Sequence, residues 1–406
     1  MELAKKQHIS HIPKDEPLPR GVKIIAWART IRWIGWGFGE ALIPIFIFQF
    51  SHSFAEAGLL RSTYEIVMLL ALPIIGAWAD RTSAKYLIVV ALLLYPLVGV
   101  SYFLAGIFGA AIFIVIARGL NGALWGMENI GVSTYYRRLT NHNNLGSSFG
   151  YIETWSNFGW IIAALIGMYL VSFIPIHYLL LAISPAAIIA LFVALRAPKD
   201  ILHNNSQCSN SLVSSYRKAF SEWKSWNNHL WLLGALVIFS GIIEALMWFF
   251  IPIDAYIGGA KPAMVVLLVV IAAIPTLFGY TLGKIADKQN KYTLIAVGLL
   301  GVAVIMIGLA IFPQYAFKLI ASFALGVLLE LFAVIQKILV TTLGPSETYG
   351  QRGSAFESVA TLGDLSAPLI LGIALDVTGF TNVSFIIASV AVILCISYTL
   401  VKNKLA

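Results

Sequence analysis

Twelve apolar runs, each long enough to cross a lipid bilayer, constrain this chain more than any other feature. A hydrocarbon core of ~30 Å takes roughly 20 apolar residues of helix. Runs of that kind cover 27–50, 57–79, 86–106, 109–135, 146–173, 177–195, 229–253, 262–285, 292–312, 317–341, 353–375 and 380–401. Inside a membrane each backbone N–H and C=O must be paired within its own segment, so such runs become helices. Composition agrees: 11% of residues are charged, against about 25% in a soluble domain. The expected fold class is therefore an all-α membrane protein with 12 transmembrane helices.

Basic residues set the orientation. Lys14, Arg20 and Lys23 precede the first run, Arg81 and Lys85 follow the second, and Arg137 and Arg138 follow the fourth. Arg196 and Lys199 follow the sixth, and Lys288 and Lys291 follow the eighth, whereas the opposite face has only Arg61, Lys261 and Lys318 near it. By the positive-inside rule, both termini and the central loop are expected in the cytoplasm of a multi-pass cell-membrane protein, here a bacterial inner membrane. The net charge of +8 then reflects basic loops beside anionic lipid, not nucleic-acid binding. The expected organisation is a cytoplasmic segment 1–26, a six-helix bundle 27–196, a cytoplasmic linker 197–228, a second bundle 229–401 and a cytoplasmic end 402–406. The first 23 residues are polar, basic and punctuated by proline, unlike a cleavable signal peptide. The linker tail, with Trp223 and Trp226, could be an interfacial helix or a solvated connector. Cys208 and Cys395 are too few for a disulfide framework.

The two halves repeat. Gly76-Ala77-Trp78-Ala79-Asp80-Arg81 closes the second run, and Gly283-Lys284-Ile285-Ala286-Asp287-Lys288 closes the eighth, 207 residues later. Gly146-Ser147-Ser148-Phe149 and Gly353-Ser354-Ala355-Phe356 share that offset. Both copies keep their bases on the same side of equivalent runs, so the repeat is parallel.

Charged residues inside the runs are uneven. The third, sixth, ninth and twelfth have none in their interiors. The others carry Glu40, Glu65, Arg118, Glu128, Glu153, Glu244, Glu330, Lys337, Glu357 and Asp364. An ionisable group in hydrocarbon is expensive, so these residues are expected to face an enclosed, hydrated space. On the first helix Trp33, Glu40, Pro44 and Ile47 share a stripe, with Trp36 beside it; on the fourth, Arg118, Asn121, Gly122, Trp125 and Glu128 share a face. Arg118 and Lys337 are the deep bases in this reading. Several carboxylates in a desolvated site suit reversible protonation and favour a cationic guest. Each acid could instead be a structural partner for a base or a helix terminus. Trp33, Trp36, Trp125 and Trp248 suit an apolar pocket tolerant of cations, or ordinary helix packing. No His cluster, Ser/His/Asp set or phosphate-cradling loop points to an enzyme, a metal or a cofactor.

Six plus six helices in parallel repeat, with Gly-x-x-x-Asp-Arg/Lys after the second and eighth, resemble the major facilitator superfamily over essentially the whole chain. Its motif A matches at Gly76, Asp80, Arg81 and Lys85, with Ser83 at a usual glycine and Ala84 at a usual base. The second copy matches at Gly283, Asp287, Lys288 and Lys291, with Asn290 in the glycine position. The resemblance implies that these eight residues form a cytoplasmic gate. Arg118-x-x-x-Gly122 looks like motif B, whose arginine is implicated in proton coupling; Asn121 replaces its usual glutamine. The fifth helix lacks the Gly-Pro pair of the antiporter motif. The implied protein is a monomeric secondary transporter whose partners are a small-molecule substrate, protons and the lipid bilayer. The expected substrate and coupling residues are Trp33, Trp36, Glu40, Arg118, Asn121, Trp125, Glu128, Glu244, Trp248, Glu330, Lys337 and Asp364. The expected direction is export of an amphiphilic or cationic compound. The alternatives are import of a polar nutrient, peptide or siderophore, using groups such as Gln336, or a non-transporting sensor on the same scaffold.

Overall fold

A computed structural model of the chain describes residues 18–140, 145–200, 228–342 and 349–403. The segment before residue 18, the linker 201–227, the last three residues and the side chains of Asp80 and Glu357 lie outside the described residues. In chain order the helices of the first half are α1 (Arg20–Phe48), α2 (Phe54–Arg81), α3 (Ala84–Phe108), α4 (Ile112–Leu139), α5 (Leu145–Leu170) and α6 (Ile176–Leu195). In the second half α7 begins at Asn228 and ends at Ile257, and α8 begins at Pro262 and ends at Lys288. Then follow α9 (Lys291–Ile311) and α10 (Tyr315–Thr342). The last helical stretch, Tyr349–Asn403, is broken at Gly379 (φ 78°) into α11 (349–378) and α12 (380–403). A positive φ of this kind costs glycine little, which is why the chain can turn there.

Among the described residues, eight stretches are long and apolar enough to cross a bilayer by length and composition, and the bent α8 makes a ninth. The difference from twelve is physical. Polar residues such as Arg118, Asn121 and Glu128 lower the apolar content of α4, as Glu153 and Asn157 do in α5, and α11 with α12 counts as one continuous helix. The first helix also starts at Arg20 rather than near 27, so Arg29 and Arg32 lie several residues in from its start.

Local signals explain the helix ends. Ser53 caps α2 by accepting from the Glu56 N–H, while the Glu56 carboxylate accepts from the His52 N–H at 2.7 Å, one residue before the cap, in a variant of the capping box. Gly109 (φ 63°) ends α3 in the left-handed conformation that suits glycine. Within the first half α1 packs on α5 and α6, α2 and α3 on α4, and α3 on α6. Within the second half α9 and α7 pack on the α11–α12 stretch, and α8 and α9 pack on α10.

The halves meet through α2 with α11, α5 with α8, and the ends of α1 and α7. These contacts tighten at the end of the bundle opposite the chain termini, called here the far end. There the Asp376 carboxylate accepts from the N–H groups of Phe54 and Ala55, at 2.8 Å each, capping the start of α2 from the other half. A carboxylate at a helix N-terminus is favoured by the unpaired donors and the helix dipole. Ser62 donates to the Leu365 carbonyl (3.1 Å), and Gln49 donates to the Tyr256 hydroxyl (3.4 Å). The helices approach so closely that a Cβ on Gly58 would fall 2.2 Å from the Pro368 carbonyl oxygen, and one on Gly372 would fall 2.5 Å from that of Phe54.

Candidate functional site

Three of the helices that enclose the centre of the molecule depart from regular α geometry there. In α1, Gly37 and Gly39 lead into a 3₁₀ turn, Glu40–Leu42. In α7, Leu246–Phe250 is wound as a π-helix, and in α8, Ile274–Phe278 is a 3₁₀ segment around Pro275. The two parts of α8 are bent by 56°. Irregular backbone at membrane depth is tolerated where it borders protein or a watery cavity. Here it borders a cavity of about 380 Å³ to which Glu40, Trp248, Phe249 and Thr276, all from these segments, contribute.

The first half supplies most of the lining: Arg32, Trp33, Trp36, Glu40 and Pro44 from α1, Arg61 and Tyr64 from α2, Arg118, Asn121 and Trp125 from α4, Asn157 and Trp160 from α5. The second half adds Glu244, Trp248 and Phe249 from α7 and Val269, Ala273 and Thr276 from α8. Arg32 is buried and forms an ion pair with buried Glu128, Nε to Oε2 2.6 Å, while its guanidinium lies 4.9 Å from the centre of the Tyr95 ring. Arg61 pairs with Glu65 one turn along α2. Arg118 donates from Nη2 to the Arg61 carbonyl (3.1 Å), and its guanidinium lies 4.8 Å from the centre of the Tyr64 ring. The Trp160 indole N–H donates to Glu40 at 2.6 Å. Behind this wall Arg29 donates to Asn129 Oδ1 (2.8 Å) and reaches Glu153 at 3.4 Å.

Of the expected site residues, Trp33, Trp36, Glu40, Arg118, Asn121, Trp125, Glu244 and Trp248 are brought together around this cavity. Glu128 stands one layer behind it, engaged by Arg32. Glu330, Lys337 and Asp364 are not among its lining residues. Glu330 lies against Gly279, where a Cβ would meet its Oε1 at 2.7 Å, Asp364 lies against Gly241, and Lys337 is exposed. Gln336 donates to Ser240 at 3.0 Å.

The expectation that Arg118 and Lys337 are the deep bases is therefore corrected: Arg32, Arg61 and Arg118 line the cavity and Lys337 does not. Arg32 and Arg61 sit near the ends of the apolar runs, where bases ordinarily flank a membrane segment. The available signal was that Arg29 and Arg32 fall inside the first run, three residues apart. Tyr64, Asn157 and Trp160 carried no comparable signal.

At the end bearing the chain termini, the two copies of the repeated phrase differ from expectation. A Cβ at Gly76 or at Gly283 would meet nothing within 4 Å. Neither glycine packs closely on another helix in this structure, where the tight contacts between the halves lie at the far end. Arg81, Asp287 and Lys288 are exposed, and Lys291 donates to the Asp287 carbonyl at 3.3 Å. The turn between α2 and α3 is instead held by a residue that motif reading missed. Asp200 accepts from the Ser83 hydroxyl and from the N–H groups of Ala84 (2.9 Å) and Lys85 (3.2 Å), and pairs with Arg138 at 2.6 Å. Arg138 also donates to the Ala79 and Thr82 carbonyls, and Lys85 Nζ donates to those of Leu195 and Ala197. Burial alone would push the Asp200 carboxyl up, but the hydrogen bonds from Ser83, Arg138, Ala84 and Lys85 outweigh it and hold the group at about 2.

A polytopic helical bundle enclosing a central, charged and aromatic cavity between two repeated halves defines a membrane transporter rather than an enzyme. Residues 25–329 match the family model of the Major Facilitator Superfamily, and the chain belongs to that family. A segment of 140 residues is 29% identical to Multidrug resistance protein 1 of Bacillus subtilis (strain 168), spanning 34% of this chain and 35% of that protein. Solved structures share the fold at low identity. The nucleoside transporter NupG superposes with a TM-score of 0.76 at 15% identity, covering 94% of this chain and 98% of that one. A D-xylose-proton symporter gives 0.72 at 15%, with 93% and 97% covered. A POT family transporter in complex with 5-aminolevulinic acid gives 0.73 at 15%, with 95% and 96% covered.

Proposed function

We propose that this transporter is proton-coupled and works by alternating access, two six-helix units (27–196 and 229–401) rocking about the central cavity. The observation that carries this reading is the placement of Glu40 and Glu244 on opposite halves of one cavity, each in or next to a broken helix. Glu40 lies within electrostatic reach of Arg32, Arg118 and Arg61, so its protonation alters the charge balance of the whole first-half wall. The far end is clasped through Asp376, while the open space at Gly76 and Gly283 leaves room for the halves to close at the terminal end. With both termini in the cytoplasm, this is an inward-facing arrangement. The residues of the repeated phrase, Asp80 and Asp287 with their basic neighbours, then act as the cytoplasmic gate when the halves close.

The cargo is a small amphiphilic organic compound, and export is the favoured direction. The name of the B. subtilis relative supports this, over the third of the chain that it matches. A second reading, proton-driven import of a polar nutrient, is favoured by the three arginines and by Asn121 and Asn157 in the wall. The test is flux into or out of proteoliposomes under an imposed pH gradient. The reading expects movement of an amphiphilic compound that stops when the gradient is collapsed and is lost in Glu40→Gln. Undiminished flux without a gradient would remove the coupling, and its direction against the gradient separates export from import.

A further inference from the structure

The cavity wall divides by hydrogen-bonding capacity as well as by half. Among the described lining residues, the buried N–H donors without an intramolecular hydrogen-bond partner are all in the first half: Nη2 of Arg32 and the indole nitrogens of Trp33 and Trp36. Arg32 and Trp36 are 2% and 3% exposed, so these donors are held in place rather than left to water. A buried donor left unmatched loses its hydrogen bond to water with nothing in return. With Arg61 and Arg118 in the same wall, these donors give the first half a surplus of positive charge and N–H groups that suits an acceptor-bearing guest.

The carboxylates of that half are already committed. Glu128 and Glu65 stand behind the lining, held in ion pairs by Arg32 and Arg61, and Glu40 accepts from Trp160. Arg118 has no carboxylate within 4 Å among the described residues. Among the described residues, the second half offers a single charge to the same space. Glu244 is exposed to the cavity, has no ion-pair partner within 4 Å among the described residues, and has Trp248 one turn further along α7.

Resting on the transporter reading above, we propose that the cavity takes a dipolar guest. A carboxylate or similar anionic, acceptor-bearing group sits against Arg118 and the Trp33 and Trp36 N–H groups. An ammonium group sits toward Glu244, and an aromatic or apolar body lies between them against Tyr64, Trp125 and Trp248. Guanidinium and indole donors suit such an acceptor, and the aromatic faces suit the cation beside them. A guest of one sign would engage one half only. A dipolar guest bridges both, so its binding free energy depends on how far apart the halves stand, which is the condition for a ligand to shift a conformational equilibrium.

The test uses the purified full chain in detergent and three probes: tryptophan, its methyl ester, which keeps only the ammonium, and N-acetyltryptophan, which keeps only the carboxylate. Calorimetry or ligand-dependent thermal shift is expected to rank tryptophan at least ~10-fold tighter than either derivative. In Glu244→Gln tryptophan should fall to the level of N-acetyltryptophan. In Arg118→Gln it should fall to that of the methyl ester, whose own affinity stays unchanged. Arg118→Lys, which keeps the charge and loses the fork of donors, should fall between. A methyl ester or N-acetyltryptophan that binds as tightly as tryptophan to the wild type overturns the proposal, as does no measurable binding of all three. The wild-type series decides even where a variant does not fold. An ester that wins leaves proton-driven transport of a cation standing. Tryptophan that binds without gradient-driven flux removes the coupling and leaves the dipolar site standing.

Discussion

The two halves descend from one pattern, yet they treat charge differently. In the first, Arg32, Arg61 and Arg118 with Glu40 reach the cavity, and Glu65 and Glu128 hold two of those arginines from behind. In the second, Glu244 is the one charged residue among those described that does so, and under the offset of the repeat buried Leu325 stands opposite Arg118. The turns show the same contrast. Asp200 and Arg138 clamp the turn between α2 and α3 across three segments, whereas the turn between α8 and α9 is capped locally by Asn290, accepting from the Thr293 N–H. Duplication preserved the scaffold. The charged lining of the cavity comes mainly from one copy.

The contrast can be broken most severely at the buried pair. Glu128→Gln leaves Arg32 buried without its counter-charge and is expected to destabilise the chain by roughly 3–5 kcal/mol, read as a lowered thermal midpoint in detergent. An unchanged midpoint would mean that the pair is not buried as described. Next comes Arg118→Gln, expected to reduce substrate affinity by about 100-fold while the protein folds normally. Leu325→Ala should do the reverse, costing roughly 2–5 kcal/mol of stability with the affinity of the folded protein retained. Equal affinity losses in the two would erase the asymmetry between the halves.

The clamp at Asp200 gives a smaller effect with a defined pH dependence. Its carboxyl falls from 3.8 to about 2 on folding, a stabilisation on the order of 2 kcal/mol. Because the folded value is the lower one, this contribution is present above about pH 4 and is lost as the pH falls toward 2. Asp200→Asn should therefore be less stable than the wild type at pH 7 and converge with it in acid. A gap that persists in acid would show that packing, not charge, holds the turn. The smallest effects are expected at Glu330→Gln and Lys337→Ala, whose side chains do not line the cavity; each should change transport by less than about twofold, within the range of ordinary surface substitutions.

Much of this was legible in the sequence because membrane helices announce themselves one segment at a time. Apolar length, basic loops and the repeat gave the spans, and helical spacing placed Trp33, Trp36 and Glu40 on one side of α1 and Arg118, Asn121 and Trp125 on one side of α4. What escaped is what depends on partners distant in the chain. Arg29 and Arg32 become interior residues only because Asn129, Glu153 and Glu128 come to them from α4 and α5. Asp376 and Asp200 cap helices hundreds and more than one hundred residues away, through backbone donors that no side-chain motif encodes. Glu330, Lys337 and Asp364 stand out in the sequence by charge alone, and charge does not say which face of a helix turns toward the cavity.

The central claim is that the halves move against each other about this cavity, closing one end as the other opens. Spin-label distances measured on a single preparation test it most directly, with one pair at positions 76 and 283 on the terminal end and a second at 52 and 376 on the far end. Across a range of pH with and without bound ligand, the account predicts opposite changes: the population that brings 76 and 283 together separates 52 from 376. Distances that change together, or that hold fixed under conditions of active transport, would contradict it.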